Sequence, residues 1–430
     1  MNILSSFDHF LNEAKKNQSG VDWDAKRLAK ESLSSKGLPS RKEESWRNTS
    51  LKFLSDVVFT PVSHMATALP EHIITLIQEK QIPGADVLVL ANGFYIASLS
   101  KISESAVTVE MQQSPTSFQY HGDEGSEAIH WLNKIYNLHA LEINITKDLT
   151  KPLQILNVAY VPTGAAVISS PRVQISLHAN KEAKLVLTNM GEKNATYFAN
   201  GHFAFTVAKD ARLEIVNHVN QSANAYHFDF VGIRAEAAST VRYFELNMNG
   251  QLTRHEMVIE LNGENIQSEI LGASYLREKQ HCDSQTFINH NHGHCRSEQI
   301  YKAVLDNEAR SVFSGTVYIA PGIAKTDSAQ LNQNLLLSDH AEVNSNPILR
   351  IFADDVKASH GSTIGQVSED EIFYLQSRCI NRTKAIELLG QGFLNEIIFK
   401  IGSDQLRAYF TAQVLREMHQ PRKPQLKAVN

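Results

Sequence analysis

The sequence predicts a mainly β chain, a long succession of strands bracketed by helical segments at both ends. Three observations carry this. First, residues 151–366 hold strand-like runs in close succession, with little helical spacing between them. Second, turns between several of these runs recur: Ala179-Asn-Lys-Glu-Ala, Ala208-Lys-Asp-Ala, Ala235-Glu-Ala-Ala and Leu261-Asn-Gly-Glu begin 26 to 29 residues apart. A quasi-period of that size points to a solenoid of stacked β coils, with a β-sandwich as the alternative. Third, both ends place apolar residues at helix spacing. The expected division is an N-terminal α-rich region at 1–150, a β core at 151–366 and a C-terminal helical region at 367–430.

In chain order, Phe7, Phe10, Leu11 and Ala14 share one helical stripe, and Ala25, Leu28, Ala29 and Leu33 a second. Gly37 and Pro39 stop this run. The segment from Gly37 to Thr49 reads as a loop pinned by a buried Trp46. Pro70 opens a short helix over 70–80. Asp86-Val-Leu-Val-Leu-Ala-Asn-Gly-Phe-Tyr reads as a hairpin, because Asn92-Gly93 suits a tight primed turn. A helix over 126–139 follows, with Ile129, Leu132, Ile135 and Tyr136 on one face.

The core then runs through Val173-Gln-Ile-Ser-Leu, Lys184-Leu-Val-Leu, Phe203-Ala-Phe-Thr-Val, Arg212-Leu-Glu-Ile-Val, Val241-Arg-Tyr-Phe-Glu-Leu and Glu256-Met-Val-Ile-Glu-Leu. It closes on the stretch from Ile348 to Gly365. There Ala353-Asp-Asp-Val-Lys is an acidic turn, and Ser359-His360-Gly361 sets an imidazole beside a glycine at which the backbone can bend. On the residues alone this His is a structural hydrogen-bonder or a ligand. Beyond Gly365, Ser368-Glu-Asp-Glu371 has the spacing of a capping box, with Ile372, Phe373 and Leu375 apolar. Lys384 to Ile401 is helical except for Gly390 and Gly392, which imply a break or a close approach. Ser403 caps a last helix that Pro421 ends, and a polar tail runs from 422 to 430.

Composition excludes several classes. A net charge of −5 argues against a nucleic-acid binder. No apolar run reaches the roughly 20 residues that span a bilayer. No secretory signal opens the chain, and three cysteines are too few for a disulfide framework, so a reducing, cytoplasmic setting is expected. Gly322-Ile-Ala-Lys-Thr lacks the glycine-rich loop of a phosphate cradle, and no Gly-x-Ser-x-Gly elbow occurs. The run His281-Cys282-Asp283, His290, His292, His294 and Cys295 offers imidazole and thiol groups suited to zinc or iron. Its spacing matches no zinc-finger pattern, and Asn289-His-Asn-His-Gly-His reads as a polar loop.

Asp354-Asp-Val-Lys-x-Ser-His-Gly-x-Thr-x-Gly365 resembles the signature of the SufB/SufD family of iron–sulfur cluster assembly proteins. Further similar strings are Lys325-Thr-Asp327, Asn332-Gln-Asn-Leu-Leu-Leu-Ser338, Pro347-x-Leu and Phe373-Tyr-Leu-x-Ser-Arg378. The compact length, the Trp46 pattern and the few cysteines point to the cysteine-poor member of the pair. The resemblance implies a right-handed parallel β-helix. It implies pairing with SufB through the β-helix ends, a homodimer when isolated, and docking of the ABC-type ATPase SufC on the C-terminal helices. It places His360 as a transient ligand of iron or a nascent cluster, facing a SufB cysteine. It marks Glu371, Phe373, Tyr374, Leu375, Arg378, Leu389 and Phe393 within the SufC dock. It implies a scaffold without catalysis of its own and with no permanently bound cofactor, and leaves room for a flavin at the level of the complex. Some relatives carry Cys two residues before this His; here Ala358 stands there, so sulfur ligands must come from SufB. Two other readings compete. One is a β-helix carbohydrate lyase or hydrolase. The other is a self-contained metalloprotein that uses His292 and His294.

Overall fold

A computed structural model of the chain describes residues 2–419 except 5, 19, 65–67, 113–126 and 163. Pro421 and the polar tail at 422–430 lie outside the described residues. The strands form one sheet of eleven and one of ten, and from Arg172–Leu177 onward successive strands alternate between them. Each strand pairs in parallel with the strand one coil away. Arg212 lies beside Thr240, Thr240 beside Gln267 and Gln267 beside Arg296, steps of 28, 27 and 29 residues. The result is a parallel β-solenoid of about eight turns, not a sandwich.

The recurring turns have a backbone cause. One corner of the coil turns through a residue in the left-handed region: Asn180 (φ 60°), Asp210 (58°), Ala238 (56°), Asn265 (63°), His294 (58°) and Lys325 (57°). Asn and Asp tolerate that conformation, which explains their enrichment there. The corners also bond to one another: the Asp210 amide donates to the Ala237 carbonyl at 3.0 Å, and the Ala238 amide to the Glu264 carbonyl at 2.8 Å.

Strands of the two sheets begin well before residue 151. Asp86–Ala91 pairs in parallel with Leu153–Ala159, and Ala140–Ile145 with Arg172–Leu177. Asp86–Ala91 also forms the expected hairpin with Phe94–Tyr95, turning through Asn92 and Gly93 at φ 48° and 86°. Apolar side chains such as Leu185, Ile215, Tyr243 and Ile270 fill the space between the sheets.

The helices Phe7–Asn17, Trp23–Lys36 and Glu127–Tyr136 pack with Trp46 against Phe198 and Phe228 of the eleven-stranded sheet. Leu28, expected on the buried stripe, is 62% exposed; Lys26 is buried instead. Its ammonium donates to the Lys134 carbonyl at 2.9 Å and to that of Asn137, near the C-terminal end of the facing helix, where carbonyls are free to accept.

At the other end, Arg382–Ile398 and Asp404–Met418 cover the ten-stranded sheet through Leu394, Ile397, Leu406, Phe410 and Val414. Ser403 accepts a cap bond from the Leu406 amide, as expected. Ser368 precedes Glu369–Gln376, but its side chain makes no cap bond, so the expected capping box is not formed; Arg382 instead clamps Glu369 at 2.6 and 2.7 Å. Gly390 and Gly392 do not break their helix. A Cβ at Gly390 would meet Met418 Cε at 3.1 Å and Val304 Cγ1 at 3.4 Å, whereas Gly392 faces open space.

Candidate functional site at the open end of the rod

His360 lies in the strand Val356–Gln366, the outermost of the ten-stranded sheet. It is not in a turn. Pairing with Thr326–Leu336 runs without a break from Thr326 beside Val356 to Leu336 beside Gln366, and Gly361 sits within it opposite Leu331. Continuous ladder pairing overrides the bend that glycine permits. The turn is the acidic pair before it, where the Lys325 amide donates to the Asp355 carbonyl at 2.6 Å.

The stacked coils fix what lies beneath His360. One lateral column runs Ile215, Tyr243, Ile270, Gln299, Gln330, His360. Inside the rod the column is apolar, and toward the end it becomes polar. Gln330 donates to Gln299 Oε1 at 2.7 Å, and Gln299 donates to Thr286 at 2.6 Å. Ser362, on the same strand face as His360, reaches Ser345 of the other sheet at 2.8 Å. The imidazole therefore forms the last rung of an inward-facing column. It is exposed because no further coil covers it.

Val356–Gln366 ends one sheet and Glu342–Ile351 the other, so each has an edge without a strand partner among the described residues. Around them Phe352 is 58% and Ile364 52% exposed. An edge with free backbone groups and apolar side chains is suited to strand addition.

The expected docking residues divide. Phe373 and Tyr374 are largely exposed on Glu369–Gln376, with Glu371 and Arg378 exposed beside them. The Arg378 guanidinium lies 4.8 Å from the Tyr374 ring centroid. Leu375 and Leu389 are half-buried. Phe393 packs toward the rod, with the Lys302 ammonium 4.4 Å from its ring. Leu388 and Phe399 are exposed on the same helical layer. Sequence reasoning missed both, because helix spacing gives a stripe without saying which stripe meets the sheet.

Of the Asn289–His294 run, residues 291–294 form the expected polar turn, and only Asn289 and His290 belong to a strand. His281–His290 is a buried strand, and only Asn291–Cys295 turns, with His294 as a left-handed corner. His292 and His294 face solvent. Burial drives the His290 imidazole down to about 4, raises the Cys295 thiol and pushes the Cys282 thiol up to about 12. Among the described residues, no metal-capable group contains His290, His292, His294 or Cys295. Trp46 is buried under the Arg254 guanidinium at 3.8 Å, and Arg254 also pairs with Asp283 and donates to the Ser45 carbonyl at 3.0 Å.

A groove of about 750 Å³ runs along the eleven-stranded sheet beside Glu44–Asn48, lined by Asn289, Asn291, Tyr318 and Arg350 among others. Its lining holds one carboxylate, Glu44. Glycoside hydrolysis calls for a pair, so the groove lends the hydrolase form of the carbohydrate reading no support.

Residues 160–393, more than half of the chain, match the family model described as SUF system FeS cluster assembly, SufBD core domain. The chain is 27% identical to the iron–sulfur cluster assembly protein SufD of Escherichia coli K12, over 88% of its own length and 89% of that protein's. It is 28% identical to an iron–sulfur cluster assembly SufBD family protein of Synechocystis, over 86% and 85% of the two chains. A chloroplastic protein of Arabidopsis thaliana is 30% identical over 56% of this chain and 51% of its own.

Proposed function

The chain belongs to the SufB/SufD family of iron–sulfur cluster assembly proteins, on its SufD side, and from that premise we propose that it is a non-catalytic scaffold subunit of a SUF complex. The observation that carries this reading is His360, exposed at the inward-facing end of a solenoid whose terminal strand has no strand partner on its outer edge among the described residues. A SufB-type subunit adding its own end coil there brings thiolate opposite the imidazole. Imidazole and thiolate together suit iron. Iron and the nascent cluster are cargo at this interface, held while the two ends face each other. Ala358 supplies no thiolate, so the sulfur ligands come from the partner.

The C-terminal helices take a SufC-type ATPase through the exposed Phe373 and Tyr374. Motion of that ATPase shifts the two rods and releases the cargo. The setting is cytoplasmic; no described helix is long and apolar enough to cross a membrane. Co-expression with SufB and SufC, then cluster reconstitution, tests the reading. His360→Ala is expected to leave the complex assembled and to cut its cluster content at least about tenfold, the loss of one ligand's worth of affinity. A complex that reconstitutes fully with His360→Ala overturns the ligand role. Failure of the wild-type chain to co-purify with either subunit overturns the scaffold role.

A further inference from the structure

Two to four coils back from the open end, the rod interior is not apolar. His227 and Asp229 come from Tyr226–Ala235, Glu245 from Thr240–Asn249 and His255 from Leu252–Leu261. Cys282 and Ser284 come from His281–His290. All are buried.

Their contacts are ordered. His255 Nδ1 donates to Asp229 Oδ1 at 2.5 Å, because an ionised carboxylate can only accept. That bond leaves Nε2 as the free ring position. Nε2 is buried, has no hydrogen-bond partner and lies 3.9 Å from Glu245 Oε1, too far for a hydrogen bond. Glu245 is held from its other sides by Ser284 Oγ at 2.5 Å and the Tyr301 hydroxyl at 3.0 Å. The Cys282 sulfur is 3.9 Å from Ser284 Oγ. Ligand atoms of His255, Glu245 and Cys282 all lie within 4.8 Å of one another.

We propose that Glu245, His255 and Cys282 form a resident site for a late first-row divalent cation, of the Zn²⁺ or Fe²⁺ class, inside the solenoid. Imidazole, carboxylate and thiolate are the donor set of such ions, with metal–ligand distances of roughly 2.0–2.3 Å. A dication cancels the two anionic ligands, carboxylate and thiolate, and fills the unbonded Nε2. An unfilled ring nitrogen beside a desolvated carboxylate is costly to bury. Asp229 behind His255, and Ser284 and Tyr301 behind Glu245, are the supporting contacts that orient metal ligands. Glu245 belongs to the ten-stranded sheet and His255 and Cys282 to the eleven-stranded one, so the ion ties the sheets together across the interior. The site is separate from His360 and departs from the expectation of no permanently bound metal.

Cobalt substitution tests it. The full chain, expressed in minimal medium with Co²⁺, is expected to carry about one Co²⁺ per chain, with the near-ultraviolet thiolate band and the strong visible bands of a tetrahedral site. Cys282→Ser removes the thiolate band while circular dichroism keeps its strand signal. His255→Gln lowers Co²⁺ below about a tenth of an equivalent. His360→Ala keeps the full spectrum, which separates this site from the proposed interface ligand. Wild-type protein without Co²⁺, or a thiolate band that survives Cys282→Ser, overturns the proposal. Cys282→Ser decides the matter should His255→Gln fail to fold.

Discussion

Ala238 stands at φ 56° between corners occupied by Asp210 and Asn265. A left-handed Ala costs roughly 1–2 kcal/mol that glycine avoids. Ala238→Gly is therefore expected to raise stability by about 1 kcal/mol, read as a higher urea midpoint at unchanged slope. Asp283 makes the opposite case. It is buried, pairs with Arg254 and accepts from Gln285 Nε2 at 2.6 Å, and Arg254 in turn roofs Trp46. Asp283→Ala leaves a buried guanidinium uncompensated and should cost about 3–5 kcal/mol. A urea midpoint within error of the wild type would contradict that account. His360 differs from both, since it is exposed on the last rung of its column, beside Gln330. His360→Ala should change the stability of the isolated chain by no more than about 0.5 kcal/mol. Under the proposed function, its effect is expected only in the assembled complex.

Two elements leave large apolar side chains uncovered. The strand Val356–Gln366 places Ile364 on the same inward face as His360 and leaves it half-exposed, because no coil follows. A partner coil stacking there would bury it. Ile364→Lys is expected to abolish pairing with a SufB-type subunit in sedimentation experiments while the single chain keeps its melting temperature. The helix Glu369–Gln376 buries only Ile372 and exposes Phe373 and Tyr374. Replacing both with Ala should weaken capture of the ATPase at least about tenfold, since aromatic anchors dominate such interfaces. Phe393→Ala should instead lower fold stability, because that ring packs against the rod under Lys302. An unchanged melting temperature with lost docking would reverse this assignment.

Across the whole molecule, buried imidazoles set the acid limit. Burial holds His130 and His218 down to about 3 and His290 to about 4, against 6.5 for the ordinary group. The unfolded chain takes up these protons near 6.5, and the folded chain only near 3 to 4. The contribution of these three groups to stability should thus be level above pH 6.5 and fall as pH drops toward 4, the sign for groups whose folded pKa is depressed. Melting temperatures across that range check it, and His218→Leu, which removes one such group, should flatten the decline.

Much of this fold was legible in the chain. Strand alternation, the 26-to-29-residue turn spacing, the Asn92-Gly93 hairpin and the stripes of Phe7, Phe10 and Leu132 are local signals, set by period and turn chemistry. The resemblance around His360 drew attention to what proves to be the terminal strand, though glycine chemistry suggested a turn. What the sequence could not carry is lateral position. Leu28 and Lys26 exchanged places because a neighbouring helix end supplied carbonyls to an ammonium. Glu245, His255 and Cys282 share no motif spacing and meet only because parallel register stacks successive coils. The period and the alternation came from the sequence by itself, since each residue's backbone preference acts on its own neighbours. Which side chains face one another across the rod, and that His360 lies on the uncovered last coil, were decided by stacking alone, because contacts a full coil apart follow from register that no local run of residues encodes.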